Sequence, residues 1–149
     1  RQKQACESAA LLATRLADHP RIARVHHPSL ASHPGHALAC RQMHAFGSLL
    51  SFEVKAQKRD GKRDGGREGG GEGALDAGRR VLESVRVITH AVSLGDVRSL
   101  LVHPASTTHS TMPPDVRKLA DIGDGLLRLS VGIESEADLL ADLERALLT

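Results

Sequence analysis

Residues 126–133 read LLRLSVGI, and they place the chain in a class of folds. Alternate residues of a strand share a face. Leu127, Leu129, Val131 and Ile133 then line one side, and Leu126, Arg128, Ser130 and Gly132 the other. Arg128 is out of place in so apolar a strand, because a guanidinium is almost never fully buried without an anionic partner. Its planar fork fits a carboxylate or a phosphate with two parallel hydrogen bonds. Strand logic alone leaves two partners open, an internal Asp or Glu and the anionic group of a ligand.

Working outward, the other periodic segments alternate between helix and strand. Cys6, Ala9, Ala10, Ala13, Leu16 and Ala17 recur at helical spacing over 4–18. His19-Pro20 closes that helix, since the residue before proline is pushed out of the α region. Residues 22–25 read as a short strand, 28–36 as a loop with Pro28 and Pro34, and 35–43 as a short helix. Over 49–54, Leu50, Phe52 and Val54 alternate with Ser51 and Glu53, which predicts a strand. A helix over 74–84 and strands near 86–89 and 98–102 follow, then a short helix from Pro113-Pro114 to about Ala120. The last helix is expected over 136–148, with Ser135 as N-cap, Asp138 in a weak capping box, and a buried stripe of Leu139, Leu140, Leu143, Ala146 and Leu147. The pattern implies an α/β class, an α+β sandwich in which a small, mainly antiparallel sheet is covered by helices.

Between strand and helix lies KAQKRDGKRDGGREGGGEG, residues 55–73, with seven glycines and no apolar period. It reads as a flexible Gly/Arg-rich insertion in a single domain spanning 1–149. Six basic residues there are offset by four acidic ones and no aromatic is interleaved, so an RNA-binding segment is disfavoured. No Gly-Lys-Ser/Thr follows the glycines, which excludes a Walker-type phosphate loop.

Composition narrows the function classes. The 149 residues carry a net charge of only +2, which points to neither nucleic acid nor a membrane surface. There are two Phe and no Tyr or Trp, so a base-stacking platform is not available. Cys6 and Cys40 have no neighbouring cysteine and read as reduced thiols of a cytoplasmic setting. His26-His27 and the His33-x-x-His36 pair lack a properly spaced third ligand, so no metal site is expected. Ser93, Ser106, Thr107, Thr108, Ser110 and Thr111 crowd around Pro104 with His103 and His109; hydroxyls in such company usually cap helices and close turns.

The stretch 91–134, AVSLGDVRSLLVHPASTTHST followed by DGLLRLSVGIE, resembles the C-terminal signature of the Cys/Met-metabolism, or trans-sulfuration, family of pyridoxal-phosphate (PLP) enzymes. Upstream, HPRIARVHHPSLASHPGHALACRQM and FGSLLSFEVK are similar to the start of the same domain, so the resemblance covers all but 55–73. It implies the small C-terminal domain of a fold-type I PLP enzyme, with the large PLP-binding domain upstream and absent here. It implies that Arg128 grips the α-carboxylate of an amino-acid substrate, that Ser93 helps hold that carboxylate, and that Thr108 supports the arginine. His103 and His109 are expected to be structural, and His26, His27 and His33 to fall in a solvated surface loop. The implied activity is that of a PLP-dependent carbon–sulfur lyase or transferase acting on L-methionine, cystathionine or O-acylhomoserine, as a homotetramer when complete, with VSLGD and HPASTTHS leaning toward methionine γ-lyase or O-acylhomoserine sulfhydrylase and away from cystathionine γ-lyase. No catalytic or cofactor-binding residue is expected in the chain: Lys3, Lys55, Lys58, Lys62 and Lys118 do not stand in the family's Ser-x-Thr-Lys context. A second reading is a non-catalytic remnant or an assembly module that pairs with full-length homologues.

Overall fold

The computed structural model describes residues 1–56 and 73–149, so the 55–73 insertion lies outside the described residues except at its ends. The elements in chain order are α1 (Gln2–Ala17), β1 (Ile22–His26), α2 (His36–Gln42), β2 (Leu49–Val54), α3 (Ala74–Ser84), β3 (Thr89–His90), β4 (Leu100–Val102), a 3-10 turn (Pro104–Ser106), α4 (Pro114–Leu119), β5 (Leu126–Ser130) and α5 (Glu136–Leu148). The strands form one five-stranded sheet in the order β1-β2-β5-β4-β3. Three of its pairings are antiparallel and β3–β4 is parallel. The α/β class with a mainly antiparallel sheet is therefore the fold observed.

β5 is the central strand, with β2 on one edge and β4 on the other. Leu129 lies across from Leu50 of β2 and Leu101 of β4, and Leu127 across from Phe52. All of these side chains are buried, and they merge with Leu12 and Leu16 of α1, Val81 and Leu82 of α3, and Leu139 and Leu143 of α5 into one core. Helices α1, α3 and α5 thus cover the face that bears Leu127 and Leu129. The opposite face carries the polar row. His26, Ser51, Arg128 and Val102 stand directly across from one another on β1, β2, β5 and β4.

Several boundaries differ from the sequence reading, each for a traceable reason. β5 stops at Ser130 rather than Ile133, because the next amides find partners outside the ladder. Val131 N–H bonds Ser48, Gly132 N–H the hydroxyl of Ser99, and Ile133 N–H the carbonyl of Val97. Val131 stays buried, while Ile133 is exposed. The strand expected at 86–89 shrinks to Thr89–His90, since the amides of Arg86, Val87 and Ile88 are all taken by the carboxylate of Asp142. Ser135 is the N-cap residue of α5, but its side chain makes no capping hydrogen bond. Its carbonyl takes the N–H of Leu139, and Glu136 and Asp138 supply the negative charge that a helix N-terminus favours. On α1 the buried stripe is rotated: Leu12 joins it and Ala17 is exposed. Leu140 is only partly buried against the core.

Candidate functional site

Arg128 leaves the centre of β5 on the polar face and turns back toward the loop 91–98. Its Nη2 donates to the carbonyls of Val92 and Ser93, each at 3.3 Å. Its Nε is buried without a hydrogen-bond partner. Among the described residues, no carboxylate forms an ion pair with it. The internal Asp or Glu left open by strand logic is therefore not found. An always-charged fork, held only by two long carbonyl contacts, retains capacity for an anion.

The loop that Arg128 touches is fixed at several points. Ser130, two residues on and on the same face, accepts the N–H of Gly95 on its hydroxyl at 3.1 Å. Glu134 receives the N–H of Ser99 at 2.7 Å and its hydroxyl at 2.8 Å, while the same Ser99 oxygen accepts Gly132 N–H at 2.9 Å. Gly132 is required here by close approach, since a Cβ would stand 2.3 Å from the carbonyl of Val97. Sequence reasoning missed Ser130, Ser99 and Glu134. The one signal available was that Ser130 shares the face of Arg128 in LLRLSVGI.

The Ser/Thr-rich loop is largely self-contained. Thr107 donates to the carbonyl of His103 at 2.8 Å and Ser110 to that of Thr107 at 2.9 Å. Thr108 is exposed and its hydroxyl pairs with Nδ1 of His109 at 2.8 Å. Of the three expected site residues, then, Arg128 and Ser93 are in contact through a backbone carbonyl. The hydroxyl of Thr108 is engaged with His109 instead.

His103 is completely buried and structural. Its Nε2 lies 2.7 Å from the carbonyl of Asp124, which can only accept, so the proton sits on Nε2 and Nδ1 accepts from Ser106 at 2.8 Å. Burial pushes its imidazole below the usual histidine range, outweighing the carbonyl of Asp124. Arg117 in α4 bonds the carboxylate of the same Asp124 at 2.5 Å, so one residue ties both the loop and α4 to the end of β5. His27 corrects the expectation of a solvated role: it is fully buried, with Nδ1 2.7 Å from Ser29 and Nε2 3.3 Å from the carbonyl of Gly47. Burial lowers its pKa as well. His26 is half-buried and its Nε2 meets Glu53 at 3.1 Å, beside an Arg24–Glu53 pair at 3.0 Å.

The described residues do not by themselves fit PLP. Of the lysines described, Lys3 pairs with Glu7 on α1, Lys55 donates to the carbonyl of Pro20, and Lys118 is exposed on α4. The sequence has no Tyr or Trp to stack on a pyridine ring. Among the described residues, no three His, Cys, Asp or Glu side chains gather as a metal site, and no helix is long and apolar enough to cross a membrane.

Comparison with known proteins places this geometry. The chain is 41% identical over 147 residues to L-methionine gamma-lyase of Fusobacterium nucleatum subsp. polymorphum, covering 99% of the chain and 33% of that protein. It is 42% identical to cystathionine beta-lyase of Coxiella burnetii, covering 99% and 34%. Its fold matches the crystal structure of cystathionine gamma synthase from Xanthomonas oryzae pv. oryzae with a TM-score of 0.80 and 42% identity, over 99% of the chain and 34% of the other. A Campylobacter jejuni protein solved with N′-pyridoxyl-lysine-5′-monophosphate matches with a TM-score of 0.82 and 32% identity, over 100% and 32%. The chain spans about a third of the length of these relatives. Residues 1–148 match the Cys/Met metabolism PLP-dependent enzyme family, and the chain belongs to that family of PLP-dependent enzymes of methionine and cysteine metabolism.

Proposed function

We propose that this chain is the C-terminal, substrate-carboxylate-binding domain of a PLP-dependent enzyme that eliminates or replaces a substituent at the γ-carbon of a sulfur amino acid. The observation that carries this reading is Arg128: a guanidinium on the polar face of the sheet that, among the described residues, pairs with no carboxylate and is held by the carbonyls of Val92 and Ser93 alone. A carboxylate needs a fixed, two-pronged, permanently charged donor, and this one is anchored on a strand rather than on a loop. Gripping the α-carboxylate orients the substrate, which is a positioning effect. Ser93 contributes through its backbone, and Thr108 supports the wall through the loop it shares with His109.

PLP, held by the rest of the polypeptide, supplies the electron sink. L-Methionine, cystathionine or an O-acylhomoserine is the substrate class, and the relatives that act under those names support it. The resemblance of 91–134 to a C-terminal signature supports the domain assignment, and a homotetramer and a cytoplasmic setting complete it. The free thiols Cys6 and Cys40 fit that setting.

The test is steady-state kinetics on the complete polypeptide. Replacing Arg128 with Ala is expected to raise KM for the amino acid about 100-fold, with PLP occupancy unchanged by absorbance. Equal losses of substrate and PLP binding would make Arg128 structural and sink the reading.

A further inference from the structure

We propose that Ser130 is a positioning residue that aims Arg128 at the substrate carboxylate by holding the loop 92–95 in place, an inference that takes the carboxylate-binding role of Arg128 as given. Residues 128 and 130 lie on one face of β5, about 7 Å apart along the strand. They grip the same loop with opposite chemistry. Arg128 donates to the carbonyls of Val92 and Ser93 at 3.3 Å, and the Ser130 hydroxyl accepts the N–H of Gly95 at 3.1 Å.

Three observations make the second contact consequential for the first. Ser130 is 2% exposed, so water does not readily replace its hydroxyl when it is removed. Gly95 sits at φ +78° with open space where a Cβ would go, so the glycine is there for a left-handed turn and not for close packing. That turn, pinned by Ser130, lies two residues beyond Ser93 and three beyond Val92, in the same short loop as their carbonyls. Finally, the Nε of Arg128 is buried and unpartnered, so among the described residues those two carbonyls are the only hydrogen-bond acceptors that orient the fork. Contacts of 3.3 Å are long and easily lost. A shift of the loop by a few tenths of an ångström therefore re-aims the guanidinium, although Ser130 touches neither Arg128 nor the ligand.

A double-mutant cycle on the complete polypeptide, loaded with PLP, separates this from a merely structural serine. Ser130→Ala is expected to raise KM for L-methionine about tenfold and to change kcat less than about twofold. In an Arg128→Ala background the same substitution is expected to leave KM unchanged within about twofold, because the group it aims is gone. Ser130→Thr, which keeps the acceptor, is expected to restore most of the lost affinity. In the 149-residue chain, Ser130→Ala is expected to speed amide exchange at Gly95 at least tenfold. An equal rise in KM in both backgrounds, no rise in either, or unchanged exchange at Gly95 overturns the proposal. No effect of Arg128→Ala alone would instead strike the carboxylate reading itself, so the two failures are distinct.

Discussion

A Cβ placed on Gly78 would stand 2.5 Å from Nε2 of His103. Helix α3 therefore lies directly on the edge of a buried imidazole, and that imidazole cannot swing aside because the carbonyl of Asp124 and the hydroxyl of Ser106 hold both its nitrogens. Gly78→Ala is expected to destabilise the fold by about 1–3 kcal/mol through overpacking, despite the better helix propensity of alanine. Urea unfolding measures it. An unchanged or raised midpoint would show that α3 can retreat from the ring.

Asp142 is the anchor between α5 and the segment before β3. Its carboxylate receives the amides of Arg86 and Val87 at 2.9 Å and of Ile88 at 3.0 Å, and it pairs with Arg145. Burial pushes this carboxyl up, but the three amides and Arg145 outweigh burial and hold it below the usual range. Asp142→Ala is expected to cost about 3–5 kcal/mol, since it strands several buried donors. A depressed folded-state pKa means the stabilisation is full above the unfolded value, near pH 4, and is lost as pH falls through the folded one. The gap between wild type and Asp142→Asn should therefore be constant from pH 7 to 5 and close only below about pH 4.

His27 and His103 give a separate window at higher pH. Both are buried and both lie below the ordinary histidine value. The unfolded chain then binds protons that the folded chain refuses, so stability is complete above about pH 6.5 and declines as pH drops below it. Ring signals of His27 and His103 in NMR titrations should show midpoints below that of a free imidazole. Ordinary midpoints for both rings would contradict the burial described.

Glu134 joins the end of β5 to Ser99 through two hydrogen bonds. Glu134→Gln turns one acceptor into a donor facing the Ser99 hydroxyl. The expected loss is about 1–2 kcal/mol, accompanied by faster amide exchange at Ser99 and Gly132. Exchange that quickens elsewhere and not at these two amides would show that Glu134 does not hold the loop.

By itself, the 149-residue chain should not form a stoichiometric lysine adduct with PLP. Absorbance after PLP addition, and mass spectrometry after borohydride reduction, check this. A single lysine labelled to completion would mean that the chain carries a cofactor site that Lys3, Lys55 and Lys118, as placed, do not provide.

Much of this was legible in the sequence. β2 spans Leu49–Val54 as its alternation predicts, α3 and α5 keep their expected ends, and the placement of Arg128 on the polar face follows from parity alone. Local periodicity suffices for such features because it reports which face of an element avoids water, and that is a property of neighbours in the chain. The tertiary structure decided where the amides of 86–88 and 131–133 find acceptors, which cut two expected strands short. It decided that His27 is buried, that Ser135 caps without its side chain, and that Ser130 and Glu134 serve the loop beside Arg128. The Ser135 cap apart, each of these depends on a partner at least 20 residues away in the chain. No spacing rule registers a hydrogen bond whose two ends are brought together only when the sheet closes.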